Sequence, residues 1–533
     1  MGKAAKKEKQ GQQVSKKSGK KTRLFILAGI LIFTVLLYSQ SINNGILFGW
    51  DDGEYLNDKH ISELNLKNTG NYFSNYYLGM YQPLSVLTIA INHHFSGTRP
   101  APYHATNLLL HLICIILIFR IFMEISNNQV FAGIAALLFA LHPMNVEAVA
   151  WIAARSTTLF TLFYLSAILS YLRYLKNKDL KYYFYTLMLF ACALFSKSMA
   201  MTFPLALILI DYLKQGEISK KSLIDKVPLL VLSFIFGLVT IDAARSFGHL
   251  EGMEYSFSLI NRLFIISYAL VLYIFKFFIP IKLSVIYGFP GEANAFLPVE
   301  YYLSIIVIVL IIAGIWKTKT YKKELIFGCL FFLVTIAPVL PIFWSRMFLA
   351  GERYVYLPYL GLIYVMGIMI KMLYEGQSRH IDKYRSTIAI TAIIYLAFMG
   401  ATSFRRSKVW KDPEQLLSAV ITQDHSTNTL AAAYFFRGNV RDRYQDYPGA
   451  LKDFNESLKR NPDNILALNN RGIVRGIMND FKGAITDFDE SIKLKPDYAD
   501  AYYNRGIASF ELKQYSNACI DWEKASSLGS GLA

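Results

Sequence analysis

The sequence predicts an all-α protein in two parts, a polytopic helical membrane domain followed by an α-solenoid of three short repeats. Three observations carry this expectation. Of the 533 residues, 54% are hydrophobic and 15% aromatic, and apolar runs recur at about the 20-residue length that crosses a bilayer. Lys and Arg collect in the short loops between those runs. From Ala433 onward, a pattern returns every 34 residues.

Residues 1–23 hold nine Lys/Arg against one acid, Glu8, and read as a disordered basic tail on the cytoplasmic side. The net charge of +17 does not mark a nucleic-acid groove, because residues 433–533 balance at 14 basic and 14 acidic side chains. The excess sits in the tail and loops, as the positive-inside rule leaves it. The run from Leu24 to Tyr38 is followed by "SQSINNG", which offers no signal-peptidase site, so it reads as a retained anchor.

A membrane domain over 24–404 follows. Its apolar segments lie near 24–39, 103–125, 130–142, 156–172, 182–195, 199–213, 227–245, 259–280, 300–316, 325–343, 356–373 and 386–403. Basic loops begin at Arg173, Lys214, Lys317 and Gln377, and each should face the cytoplasm. Strict alternation fails at Lys317 unless one segment enters and leaves on the same side. The segment 259–280, with Arg262, Lys276 and a closing proline, is the candidate for a re-entrant or interfacial helix. About 11 crossings remain, and that odd number puts everything after Ser403 outside the cytoplasm. Cys114, Cys192 and Cys329 fall in apolar helices and Cys519 stands alone, so neither a disulfide framework nor a CxxC site is present.

A connecting helix is expected within 405–432, then repeats at 433–466, 467–500 and 501–533. Gly438, Gly472 and Gly506 correspond, as do Ala450, Ala484 and Ala518, and Phe454, Phe488 and Trp522. Small residues let paired helices approach, an aromatic fills the gap, and Pro462 and Pro496 stop the second helix. Period and pattern resemble the tetratricopeptide repeat. Such a groove binds peptide, or serves as a rigid spacer.

The outward loops gather ionisable and aromatic groups. They are Trp50, Asp51, Asp52 and Glu54; His93, His94, Arg99, His104 and His111; His142, Glu147 and Arg155; Lys197; and Arg346, Glu352 and Arg353. Each has a plain reading as well: His111 as a packing residue, Arg99 as a snorkelling cation, Lys197 as a turn charge, Glu147 and Arg155 as a mutual pair two helical turns apart. No HxxxH or HxH spacing is present, so a metal site is not assigned, and a divalent ion is the lesser alternative.

In order along the chain stand "WDDGEYL", "YQPLSVLTIAINHHFSG", "PAPYHATNLLLH", "LHPMNVEAVAWIAARS", "ALFSKSMAMTFPLALILIDY", "AGERYVYLPYLG" and "RRSKVWKDPEQLL". This series resembles the transmembrane-and-tetratricopeptide-repeat family of O-mannosyltransferases and its bacterial relatives, within the GT-C group of glycosyltransferases. The resemblance implies transfer of a sugar, mannose in the animal members, from a polyprenyl phosphate to a protein Ser or Thr at the extracytoplasmic face. A carboxylate of the first outward loop would be the base. Adjacent residues splay by about 100° in a helical turn, so of Asp51 and Asp52 one takes the proton and the other orients a neighbour. Arg155, Lys197 and Arg353 are implied for the departing lipid phosphate, and Trp50, His104, Glu147 and Glu352 for positioning. The repeat array is shorter than in the animal members, which leaves the acceptor open.

Two other classes fit the sequence less well. A membrane-anchored scaffold for envelope or secretion assembly needs one anchor rather than eleven crossings. A transporter would carry charges at mid-bilayer and internal repeats among its helices. The expected partners are thus the polyprenyl-phosphate sugar, a protein or peptide acceptor in the repeat groove, and membrane lipid, with no nucleic acid. The short repeat array and the lack of a retention signal favour a bacterial inner membrane over the ER membrane.

Overall fold

Helix after helix begins and ends in contacts that sort its two ends onto two faces. The computed structural model describes residues 21–47, 50–247, 257–290, 296–342, 348–375, 379–423 and 426–529. Most of the basic tail, and Arg346, lie outside these. Among the described residues the chain is helical apart from loops and two isolated bridges, Tyr77 with Met80 and Tyr287 with Ala350.

The membrane domain comprises α1 (Lys21–Asn43), α2 (Pro100–Ser126), α3 (Gln129–Leu141), α4 (Arg155–Asn177), α5 (Leu180–Ser196), α6 (Phe203–Gln215), α7 (Val227–Ser246), α8 (Leu259–Phe278), α9 (Val299–Lys317), α10 (Lys322–Ile336), α11 (Tyr359–Glu375) and α12 (Arg379–Val409). Local chemistry sets their ends. Pro100 opens α2, where its missing N–H costs nothing, left-handed Asn127 (φ 52°) closes it, and Asn128 caps α3.

On one face, Gln40 donates to the Phe404 carbonyl, Ser403 to that of Leu141 (2.6 Å), Ser85 to that of Ser196 (2.8 Å) and Tyr76 to Asp242 (2.7 Å). On the other, Lys214 donates to the Glu124 carbonyl (2.8 Å), Tyr183 to that of Asp225 (2.7 Å), and Lys371 lies over the Tyr321 ring (5.2 Å). Lys226 pairs there with Asp211 at 2.6 Å, both fully buried. The basic loops at Lys214 and Lys317 adjoin these second contacts.

Along α8 Phe257 meets Phe289, Phe264 meets Tyr302, Tyr268 stacks on Tyr301, Tyr273 bonds Gly351 and Phe277 stacks on His142. Leu259, Ile260 and Leu263 at its start are exposed. Among the described residues seven helices are long and apolar enough to cross a membrane, α8 included, or eight if α3 and its continuation Pro143–Ala150, bent by 58°, form one span. The segment expected at 325–343 stops at Ile336 because Pro338 and Pro341 cannot extend it.

Beyond α12 come α13 (Pro413–Gln423) and three helix pairs: α14 (Thr427–Arg443) with α15 (Tyr447–Arg460), α16 (Ile465–Ile477) with α17 (Phe481–Leu494), and α18 (Ala499–Glu511) with α19 (Tyr515–Ser527). A Cβ on Gly438, Gly472 or Gly506 would stand 2.7, 2.6 or 2.5 Å from Phe454, Phe488 or Trp522, which is why glycine recurs there. Pairs of a half-buried Arg with a buried Asp repeat with the same offset, Arg437–Asp453 (2.7 Å), Arg471–Asp487 (2.6 Å) and Arg505–Asp521 (2.6 Å). So do the left-handed turns at Gln445, Asn479 and Lys513. The boundaries differ from those expected. α12 runs through 404, and each repeat begins before 433, 467 or 501, because sequence matching fixes the period but not the phase. Arg441 pairs with Glu414 (2.8 Å) and Arg437 donates to Ser418 (3.0 Å), so α13 closes the stack against α12.

Candidate functional site

Trp50 precedes a short helix, Asp51–Asn57, whose first turn holds Asp51, Asp52 and Glu54 near its unpaired N–H groups. The two aspartates point apart as expected. Asp52 is buried, and its two oxygens accept from Leu47 N (3.0 Å) and Ala153 N (2.8 Å). Burial raises its carboxyl to about 7 against the pull of those two bonds. Asp52 therefore ties the first outward loop to the second. Asp51 is half-buried, and its charge adds to the field that keeps Arg353 protonated.

Glu147, on the short helix Val146–Ala150, is fully buried. It accepts from Arg353 N (3.0 Å) and pairs with the Arg353 guanidinium. That guanidinium lies over the rings of Trp151 (4.9 Å) and Tyr354 (4.7 Å) and donates to the Tyr354 hydroxyl (3.1 Å). The Lys197 ammonium approaches the same Tyr354 ring (5.8 Å) and donates to Thr157 (2.6 Å). Trp50 meets Trp151 edge to face at 5.7 Å, and Trp151 stacks on Trp410 at 5.9 Å. Trp50, Glu147, Lys197 and Arg353 are thus linked through the Trp151 and Tyr354 rings, with the Asp51 charge acting on Arg353.

Three expected residues are engaged elsewhere. Arg155 is fully buried, and its guanidinium donates to Asn107 Oδ1 (2.8 Å) and the carbonyls of Thr88 (3.0 Å) and Tyr103 (2.9 Å). It does not pair with Glu147, because the nearer Arg353 takes that carboxylate. Its three nitrogens are all engaged, so it braces the start of α4 rather than joining that group. His104 contacts the Gly45 carbonyl at 3.2 Å. Glu352 pairs with Arg406 (3.1 Å) and lies 3.4 Å from the Tyr287 hydroxyl, and burial raises its carboxyl, with Arg406 opposing. Sequence reasoning missed Trp151, Tyr354, Thr157 and Arg406, though all but Thr157 lie inside the motifs quoted above. It also missed Phe436 of α14, whose ring stacks parallel to Trp50 at 5.4 Å. Among the described residues no group of three or more His, Cys, Asp or Glu is placed to hold a metal.

Comparison with known proteins agrees with the expected family. The family described as dolichyl-phosphate-mannose-protein mannosyltransferase matches residues 83–241, and a tetratricopeptide-repeat family matches 477–513. A protein O-mannosyl-transferase of Caenorhabditis elegans is 25% identical over 383 residues, which cover 70% of this chain and 53% of the relative. The protein O-mannosyl-transferase TMTC1 of Homo sapiens is 23% identical over 444 residues, 73% of this chain and 49% of the relative. The chain therefore spans about half the length of these relatives. The crystal structure of MamA aligns with 30% of this chain and 92% of that one at 20% identity, with a TM-score of 0.21. In its membrane-domain match, its repeats and these two long alignments, the chain is similar to the protein O-mannosyl-transferases.

Proposed function

We propose that the protein is a glycosyltransferase that moves a sugar, mannose by similarity to its relatives, from a polyprenyl phosphate to a Ser or Thr hydroxyl of a protein. The observation that carries this reading is one half-buried carboxylate, Asp51, grouped with Trp50 and with two cations, Arg353 and Lys197, that share the Tyr354 ring. A hydroxyl is too weak an acid to react unaided, so Asp51 accepts its proton as the oxygen attacks the anomeric carbon. The bond from that carbon to the phosphate oxygen breaks, and its electron pair leaves with the polyprenyl phosphate. Arg353 and Lys197 stabilise the charge that develops there. Trp50 offers a face to the sugar, Glu147 orients Arg353, and Arg155 and Asp52 hold the loops in register.

Eleven crossings, with α8 in the interface, put the basic tail and basic loops in the cytoplasm and the site and repeats outside it. That arrangement suits a bacterial inner membrane and presents the acceptor to the repeat groove. A scaffold would account for the repeats but not for the grouped carboxylate and cations. The test is transfer from a panel of polyprenyl-phosphate sugars to Ser/Thr peptides in nanodiscs. Transfer by the wild type and its loss in Asp51→Asn are expected. Equal rates for both would remove Asp51 from the reaction.

A further inference from the structure

In the second and third repeats one position of the first helix is asparagine, and it reaches back to the repeat before it. Asn470 donates to Asn439 (2.9 Å) and Asn504 donates to Asn469 (3.1 Å). The 34-residue offset puts Phe436 at the same position of the first repeat, where the unit before it is the membrane domain. There Phe436 stacks on Trp50 at an interplanar angle of 0° and lies 6.2 Å from Phe348, just ahead of the Glu352–Arg353 turn. The repeat fold does not itself require an aromatic at this position, since the other two repeats carry asparagine.

The same helix is held by two further contacts. Gly288 N donates to Thr429 Oγ1 (3.0 Å), where a Cβ would stand 2.9 Å from the Thr429 nitrogen, and Asn428 donates to the Phe289 carbonyl (3.0 Å). Nearby, Gly45 N donates to the Lys411 carbonyl (2.9 Å). The first repeat is therefore seated on the membrane domain, against residues 288–289 and, through Phe436, against Trp50.

We propose that Phe436 is a positioning residue of the site: it fixes Trp50, and through Trp50 the helix that presents Asp51, so that membrane domain and first repeat build one site. Phe436 touches no reacting atom. Its catalytic consequence rests on the glycosyltransferase reading, whereas the coupling of Phe436 to residues 50–57 does not.

The experiment compares the full chain in nanodiscs with Phe436→Asn, which installs the residue of the other repeats, and with Phe436→Tyr. Amide hydrogen exchange at residues 50–57 should quicken by roughly tenfold or more in Phe436→Asn, stay unchanged in α4, and return to the wild-type rate in Phe436→Tyr. Peptide transfer should fall by about 10- to 100-fold in kcat, the scale of a displaced reacting group, with the KM for the lipid donor unchanged. Unaltered exchange at 50–57 overturns the proposal whatever the activity. Faster exchange there, with no transfer by the wild type from any donor, upholds the coupling and removes the enzymatic reading.

Discussion

At the scale of single residues, Asp51 and Asp52 should separate cleanly. Asp51→Asn keeps the shape of a half-buried side chain and should lose about 10²–10⁴ in turnover with thermal unfolding unchanged. Asp52→Asn turns an amide N–H toward either Leu47 N or Ala153 N, and leaving one donor unsatisfied should cost about 1–3 kcal/mol, visible as a lowered Tm. Because burial raises Asp52 from 3.8 to about 7, the native state keeps its proton over a range where the unfolded chain has lost it. Stability should therefore fall as pH rises from about 4 to about 7, and unfolding followed against pH should show a shallower fall in Asp52→Asn. The two cations differ as well. Arg353→Gln strands Glu147, which is fully buried, and should destabilise the protein by about 3–5 kcal/mol, whereas Lys197→Met, which removes the donor to Thr157, should slow donor turnover. The sequence made the divergence of the two aspartates legible, because adjacent residues cannot share a face. That Asp52 ties the two loops together was not legible, since that depends on a backbone N–H about a hundred residues away.

At the scale of elements, most of the architecture was open to reading because each signal is local. The 34-residue period anticipated the glycine against an aromatic in every helix pair. Gly472→Leu should drive Phe488 from its place and cost about 1–3 kcal/mol of overpacking, measurable as faster amide exchange in α16 and α17 with α4 unaffected. Loop parity called for one segment that does not cross, and Arg262, Lys276 and the closing proline pointed to 259–280, the segment that forms α8. The bend at Pro143 and the early stop at Ile336 show proline acting as expected, yet where a short apolar helix ends depends on what it packs against. Arg155 was misplaced for a related reason. Arginine in an outward loop looks available, but Asn107 and two backbone carbonyls, all distant in sequence, consume its donors.

At the scale of the whole molecule, the proposed eleven crossings would put the two ends of the chain on opposite sides of the membrane. A reporter that works only in the cytoplasm, fused after Ala533, should stay silent, while the same reporter in the loop at Lys317 should be active; activity at Ala533 would overturn the eleven-crossing arrangement. Composition alone showed a basic, apolar protein, and the positions of its charges turned that into a topology. What composition and pattern did not reveal was that the last domain leans on the first loop. The Trp50–Phe436 contact joins residues made roughly 390 positions apart, which at ribosomal speeds of about 5–20 residues per second means a wait of about 20–80 s. A nascent chain halted just before α14 would hold its first outward loop by Asp52 and Trp151, without the ring of Phe436 against Trp50.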